Sequence, residues 1–354
     1  MVNKPVISII IATFNSERIL PLVLKSIKKQ TFKGGLEVLV IDGGSTDKTL
    51  KIASDYGARV INNPRTEPVF AKFLGYRNAN GKYIMYLDHD EVIENIEALD
   101  IKYSAFKKND KVRAVIGSGY KNPEGISFIN NYINEFGDPF SFFIYRLSKD
   151  YRFFLTQMKS RYKVVLENEE YVIFDLSEAK NLPIIELCAA GSLIDAYFMK
   201  RNFPKTLIKP SLIPHFFYLI NTKSPFIAIT KNDALLHYSS ESLRKYLNKI
   251  RWRVKNNIYY KSDMGESGFT GRNKYQTSWF RYKNYLYLPY AFTFLFPLID
   301  AISLSLSRRN IGYLMHFPLT IFTASLIVYH YFLKLLGAKP KLRSYDESKE
   351  IVLQ

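Results

Sequence analysis

Three short apolar runs, each ending abruptly in a polar cluster, constrain the fold of this chain more than any other feature. Val6–Ala12 runs into Thr13-Phe14-Asn15, Leu36–Ile41 into Asp42-Gly43-Gly44-Ser45, and Tyr83–Leu87 into Asp88-His89-Asp90. Such runs are short for helices and read as strands buried on both faces. Between them the period changes. Glu17–Lys29 sets Leu20, Val23, Leu24 and Ile27 on one helical face, Thr46–Tyr56 predicts a second helix, Arg59–Asn62 a short strand and Ala71–Ala79 a further helix. Strands alternating with helices imply a doubly wound, mostly parallel α/β sheet with helices on both faces, in which ligands bind outside the carboxyl ends of the strands. The three polar clusters should therefore meet on one edge.

Charge narrows the partners. Lys and Arg number 50 against 32 Asp and Glu, a net +18 in 354 residues, which implies an anionic partner: nucleic acid, a phospholipid surface or a phosphorylated substrate. Cys188 is the only cysteine, which excludes an intramolecular disulfide and a thiolate zinc cluster. The apolar run at the N-terminus is too short for a signal peptide or a membrane span. In the middle of the chain, Phe128–Tyr145 is aromatic and amphipathic, and Glu186–Phe198 reads as a buried strand or helix start around Gly191.

The last third changes character. Ser242–Ile258 spaces Leu243, Leu247, Ile250, Val254 and Ile258 as one helical face, with Arg244, Lys245, Lys249, Arg253 and Lys255 elsewhere around it. A basic amphipathic helix of this kind suits a membrane interface. Lys261, Arg272, Lys274, Arg281 and Lys283 extend the charge, beside Trp279 and Phe280, so 239–284 is expected to be an interface segment on an anionic membrane surface. Tyr285–Leu306 and Ile311–Leu336 are each long enough to span, although Pro289, Pro297 and Asp300 weaken the first. A pair of transmembrane helices over 285–336 returns the chain to its starting side, and the basic flanks make that side, with the tail 337–354, cytoplasmic. Arg308 and Arg309 in the outer turn run against that trend; a surface-lying first segment is the alternative. Basic residues clustered beside apolar stretches favour anionic lipid over nucleic acid.

Two carboxylates at i and i+2 after a strand suit nucleotide chemistry. One can face a ribose and the other a cation, Mg²⁺ or Mn²⁺, that neutralises a departing diphosphate. The same pair also makes an ordinary solvated turn, and only its position after Tyr83–Leu87 favours the first reading. Asp42 at a strand end is expected to bond a base or ribose, with Gly43 and Gly44 allowing a tight turn close to a ligand. Ser45, Thr46 and Asp47 suffice as caps of the next helix.

The stretches VSIIIATFNSE, EVLVIDGGSTDKT, AKFLGYRNANGKYIMYLDHDE and ALLHY are together similar to the inverting family-2 glycosyltransferases of the GT-A fold, closely over residues 5–92 and more loosely to about 240. The chain resembles dolichyl-phosphate-mannose-synthase-like and cellulose-synthase-like members. The resemblance implies a catalytic domain over 1–238 and a nucleotide-diphosphate sugar donor, GDP-mannose being preferred over a UDP-sugar. By position, Thr13, Asn15, Glu17, Asp42 and Gly43 would line the nucleoside pocket, Asp88 would contact ribose or metal, Asp90 the metal, and Arg77 the donor phosphates. His237 in ALLHY would be a metal or diphosphate ligand.

The acceptor side departs from the pattern. Where the family carries an acid as catalytic base, this chain has Pro214-His215-Phe216, so His215 is the substitute, with Glu186 and Asp195 as rivals. Asn248-Lys249-Ile250-Arg251-Trp252 resembles the Gln-x-x-Arg-Trp element in which Trp meets the acceptor sugar and Arg the diphosphate; Arg251 facing lipid phosphates is the other reading. His316 and His330 fall in the second apolar stretch and read as packing residues. The expected function is transfer of a hexose to a polyprenyl- or dolichol-linked sugar, with interface helix and Phe128–Tyr145 holding the lipid tail, at the cytoplasmic face of the cell membrane. The alternatives are a polyprenyl-phosphate monoglycosyltransferase and a non-catalytic nucleotide-sugar-binding scaffold.

Overall fold

A computed structural model describes residues 4–239, 242–260 and 272–343. Residues 261–271 of the basic stretch, Lys261 among them, and 344–354 of the tail lie outside the described residues. The chain forms two compact units, one from the residues up to Lys121 together with Asp150–His237, the other from Asn122–Lys149 together with the residues from Tyr238 on.

The first unit carries β1 (Ile7–Thr13), β2 (Leu36–Asp42), β3 (Arg59–Asn62), β4 (Tyr83–Tyr86), β5 (Glu91–Ile93), β6 (Ala114–Ile116), β7 (Gly119–Lys121), β8 (Lys163–Glu167), β9 (Tyr171–Asp175), β10 (Ser192–Asp195), β11 (Phe226–Thr230) and β12 (Ala234–His237). Its helices are α1 (Leu20–Lys28), α2 (Thr49–Asp55), α3 (Pro68–Asn78), α4 (Ala98–Lys108), α7 (Phe154–Arg161), α8 (Ala196–Asn202) and α9 (Phe216–Asn221). Nine strands form one sheet in the order β3-β2-β1-β4-β10-β6-β11-β9-β8, and β5, β12 and β7 form another. β1 is the β-branched run ISIIIAT, buried on nearly every residue, as a central strand covered on both faces must be. α1 turns Leu20, Val23, Leu24 and Ile27 inward. α3 starts at Pro68, with the Glu67 carboxylate accepting from the Val69 and Phe70 amides; proline costs nothing at a first helical position, where the N–H has no partner in the helix.

One expectation about this sheet needs correcting. β1, β2, β3 and β4 are parallel, but β10 runs antiparallel to both β4 and β6, and β9 antiparallel to β11 and β8. The sheet is mixed, not mostly parallel. The stretch around Gly191 gives no periodic sign of this, because direction is set by the connection and not by side-chain alternation.

The second unit contains α5 (Ile129–Phe136), α6 (Pro139–Tyr145), α10 (Leu243–Tyr259), α11 (Ser278–Tyr282), α12 (Tyr287–Phe292), α13 (Leu295–Arg308) and α14 (His316–Leu335). Residues 122–149 thus fall outside the catalytic domain expected from sequence. The cause is packing: Ile129, Tyr132, Ile133, Phe136 and Phe142 form one buried cluster with Tyr246, Ile250, Leu304, Tyr313 and Leu319. The aromatic stretch and the apolar face of α10 therefore build this unit's own core, and neither offers an open face for a lipid tail. Of the two expected spans, Ile311–Leu335 is a helical segment of 25 residues, whereas the other is broken, Trp279–Phe292 meeting Leu295–Arg308 at 90°. Phe294, with φ +59°, makes the corner.

Polar groups in this unit are matched in pairs. Glu135 is fully buried and binds Arg308 at 2.7 Å, while Tyr313 Oη donates to it at 2.5 Å. Arg146 donates twice to Asp300, at 2.5 and 2.7 Å. Arg308 and Asp300, the two residues that fitted the apolar stretches worst, are therefore neutralised by partners that sequence spacing does not reveal. Removing one member of a buried pair leaves the other charge uncompensated, at a cost of about 3–5 kcal/mol. Glu135→Gln should destabilise this unit by that order, and adding Arg308→Met should recover most of the loss. Trp252 and Trp279, the two tryptophans of the chain, both lie here, so fluorescence-detected denaturant unfolding checks it. A Glu135→Gln midpoint equal to wild type would contradict it.

Candidate active site

The register of β1, β2 and β4 delivers their carboxyl ends to one edge. Thr13 closes β1 opposite Asp42, and the Leu87 amide still donates to Ile10 before the chain turns into Asp88. Because β10 runs the other way, its first residue, Ser192, stands beside Tyr86, which brings the Ala190-Gly191 turn to the same edge. Asp195, at the other end of β10, pairs with Tyr83 and lies at the opposite edge, where it caps α8 and binds Arg113 at 3.3 Å. It cannot be a base for this site.

Asp42 is 3% exposed and accepts four hydrogen bonds. Thr13 Oγ1 at 2.9 Å and Ser45 Oγ at 2.5 Å reach Oδ1; the Gly44 and Ser45 amides reach Oδ2 at 2.9 and 2.8 Å. A carboxylate has about four acceptor positions, so Asp42 and Thr13 organise their own turn, and the expected base or ribose contact gives way to that role. Gly44 adopts φ +90°, which only glycine takes cheaply. At Gly43 a Cβ would stand 3.2 Å from Thr66 Cγ2, so glycine lets the turn close against Thr66.

Asn15 and Glu17 are exposed and fasten the loop after β1 to the loop after β2. The Asn15 amide donates to Ser45 Oγ at 2.8 Å, and Asn15 Oδ1 accepts from the Thr46 amide at 2.9 Å. The Glu17 amide donates to Asp47 and its carboxylate accepts from the Lys48 amide, both at 3.0 Å. These four reciprocal bonds give the site a braced rim.

The third strand end is the most charged. Lys72, 8% exposed on α3, binds Asp88 Oδ1 at 2.6 Å. Burial favours its neutral amine, but the Asp88 carboxylate, with Cys188 and Glu91 nearby, holds the ammonium above the ordinary lysine range. Glu91 is fully buried. It accepts from the Asp88 amide at 3.0 Å, Tyr120 Oη at 2.7 Å and the Ala190 amide at 3.0 Å. Burial, reinforced by the Asp88 charge, pushes its carboxyl up to about 7, against the pull of His237 and of those hydrogen bonds. His237 closes β12 opposite Glu91, stacks on the Tyr120 ring at 4.5 Å and sets Nε2 3.7 Å from Asp90 Oδ2. Asp90 and His237 are therefore neighbours, with Asp88 two residues before Asp90 in the same turn. Lys72, Glu91 and Tyr120 were missed. Lys72 had a signal, a lysine between the buried Ala71 and Phe73 in the helix that leads to the acidic strand end. Tyr120 had none.

Other expected residues lie elsewhere. Arg77 is exposed at the end of α3 that feeds β4; there the Asn78 carbonyl accepts from Arg59 at the start of β3. It stands at the amino ends of the strands, away from the site. His215 is 1% exposed, between the buried Pro214 and Phe216, so an acceptor hydroxyl has no route to its ring. Glu186 lies near enough to Tyr120 for its charge to oppose ionisation of the phenol. Arg251 and Trp252 belong to the second unit, where Arg251 donates to Asn248 at 2.8 Å and Trp252 Nε1 to the Arg343 carbonyl at 2.8 Å.

A divalent cation fits only part of this set. Among the described residues no three Asp, Glu, His or Cys side chains converge on one point. Asp90 and His237 can supply one oxygen and one nitrogen, so a cation held there needs oxygens from a ligand and from water.

Residues 8–165 match the family model described as Glycosyl transferase family 2. A dolichyl N-acetyl-alpha-D-glucosaminyl phosphate 3-beta-D-2,3-diacetamido-2,3-dideoxy-beta-D-glucuronosyltransferase of Methanococcus voltae is 32% identical over 125 residues, 31% of this chain and 38% of that protein. A PGL/p-HBAD biosynthesis glycosyltransferase of Mycobacterium tuberculosis is 38% identical over 101 residues, 27% of this chain and 39% of that protein. The match thus spans under two fifths of either relative. Among solved structures, the mannosyltransferase PcManGT from Pyrobaculum calidifontis, in complex with GDP-Man and Mn²⁺, is 13% identical with a TM-score of 0.51, covering 94% of this chain and 89% of that one, a likeness of fold.

The buried acid makes stability depend on pH. Glu91 holds its proton to about 7 in the folded chain against a reference of 4.5, so between those values the unfolded state is ionised and the folded state is not. Stability from this group is intact below 4.5 and lost as pH rises through 7, by about 3 kcal/mol in all. Hydrogen exchange of the β1 and β4 amides in EDTA should show this fall in wild type and a flatter profile in Glu91→Gln. Parallel profiles would refute the assignment.

Proposed function

From the match of residues 8–165 to the Glycosyl transferase family 2 model, we propose that the chain is an inverting, metal-assisted transferase moving a hexose from a nucleotide-diphosphate sugar to a lipid-linked acceptor. The observation that carries this reading is the pairing of Asp90 with His237, 3.7 Å apart, beside an Asp88 braced by Lys72. The acceptor oxygen attacks the anomeric carbon, the bond from that carbon to the diphosphate oxygen breaks, and the nucleoside diphosphate leaves. Asp90 and His237 would hold the cation, whose bound charge neutralises the leaving diphosphate. The nitrogen ligand favours Mn²⁺ over Mg²⁺, which prefers oxygen. Lys72 is a positioning residue that orients Asp88 toward the ribose side, and the rim of Asn15, Glu17 and Gly43 sets the depth of the nucleoside.

GDP-mannose is the preferred donor, in keeping with the ligand of the Pyrobaculum mannosyltransferase. A sugar on a polyprenyl or dolichyl carrier is the preferred acceptor, in keeping with the name of the Methanococcus relative. The basic residues of α10 support action at the cytoplasmic face of the cell membrane. A sugar hydroxyl needs a base, and with His215 and Asp195 out of reach, Glu186 is the acid near the site that remains for it. The burial of His215 favours a second reading, a polyprenyl-phosphate acceptor, which is already ionised and needs no base.

Release of nucleoside diphosphate from a panel of nucleotide sugars with Mn²⁺ tests the transferase. Asp90→Ala should lose at least about 100-fold, and equal turnover of wild type and Asp90→Ala would sink the reading. Offering each lipid acceptor separates the two alternatives. With a sugar acceptor, Glu186→Gln should lose about 10²–10⁴-fold, the range of a lost general base, whereas His215→Gln should stay within about tenfold. A large loss in His215→Gln alone would restore that histidine as base.

A further inference from the structure

The second unit bears on how the protein meets a membrane, and its own packing decides the matter. α10 lies beside α14 along nearly the whole of the longer helix. Tyr246 and Ile250 share a core with Leu319; Val254 and Leu326 pack against that core. Arg251 sits 5.1 Å over the Phe322 ring. Tyr259 Oη donates to the His330 carbonyl at 2.9 Å, and Lys334 Nζ to the Ile258 carbonyl at 2.7 Å. The numbers rise together on both helices, so the two run parallel, side by side.

α10 carries Arg244, Lys245, Lys249, Arg251, Arg253 and Lys255 and no acidic residue. A bilayer crossed by α14 would therefore take six basic side chains of its neighbour into hydrocarbon, Arg253 with its partner Asp138 at 3.2 Å among them, where charge is strongly disfavoured. α13 does not serve as a span either: its 14 residues reach only about 21 Å against a hydrocarbon core of about 30 Å, and it leaves its predecessor at 90°. Yet both helices turn large apolar side chains outward. Leu306 is 74% exposed, Phe332 58% and Leu335 86%, large apolar side chains left open to whatever surrounds this unit. An apolar surface flanked by a cationic helix matches the headgroup and upper acyl region of an anionic leaflet.

We propose that this unit binds one leaflet of an anionic bilayer from a single side, with α14 lying along the interface instead of crossing the membrane. The proposal refines the membrane placement in the functional reading and is independent of the transfer chemistry.

Its test uses the full chain with Cys188→Ala and single cysteines from Arg309→Cys, before α14, or Lys339→Cys, beyond it. In sealed inverted vesicles from expressing cells, a membrane-impermeant maleimide should label both sites to the same extent with and without detergent. Protection of either site until detergent is added means a crossing helix and overturns the proposal. The purified wild-type chain should float with vesicles containing phosphatidylglycerol at least tenfold more tightly than with phosphatidylcholine alone. Equal binding to both overturns the anionic leaflet as partner. Failure to float, with a dimer in solution, assigns the apolar surface to a second copy and also overturns it. Donor hydrolysis by the same preparations in detergent reports on the transfer reading separately, so either can fail alone.

Discussion

The parallel pairing of β1 with β2 on one side and β4 on the other is the constraint on which the first unit depends. Register alone sets Thr13 opposite Asp42 and carries Asp88 to the same edge. Each strand end then solves a different problem. The β2 end satisfies Asp42 with four local donors. The β4 end cannot satisfy its acids locally, and recruits Lys72 from α3 and Tyr120 from β7. The turn that is internally complete gives shape; the one that leans on distant partners concentrates charge. That difference is why Asp88 and Asp90, rather than Asp42, are the acids we propose for the chemistry.

What the sequence revealed follows from locality. β1, β2, β3 and β4 were legible because apolar runs and their polar ends are local patterns; Asp90 and His237 stand out in sequence only because the short stretches holding them resemble a known family, and the fold sets them 3.7 Å apart. A linear motif points to Arg77 and not to Lys72, five residues before it, because it cannot tell which end of a helix faces the site. α3 runs back along the sheet, so its early residues approach Asp88 while Arg77 ends on the opposite side. His215 was chosen by position in a motif, and burial rules it out. Tyr120 and the Ala190 amide meet Glu91 only through the antiparallel return of β10 and the small sheet of β5, β12 and β7, which no periodicity announces.

The second unit shows the same limit from another side. Apolar stretches suggested two spans, and the residues that spoiled the pattern, Asp300 and Arg308, were counted against them. In the fold these residues are bound to Arg146 and Glu135, from a segment more than a hundred residues earlier that sequence reading had given to the other domain. Hydropathy measures how apolar a helix is, not what lies beside it. For α14 the neighbour is α10, whose basic side chains are the ground for the proposed placement of α14 along a bilayer rather than across it.

The central claim is that Asp90 and His237 hold a cation jointly with the diphosphate of a nucleotide. Electron paramagnetic resonance of Mn²⁺ titrated into the full chain tests it most directly. The account predicts weak Mn²⁺ binding to the chain alone, at least tenfold tighter binding when GDP or UDP is present, and no such gain in Asp90→Ala. Mn²⁺ affinity that is the same with and without nucleotide, or a gain that survives Asp90→Ala, would contradict it.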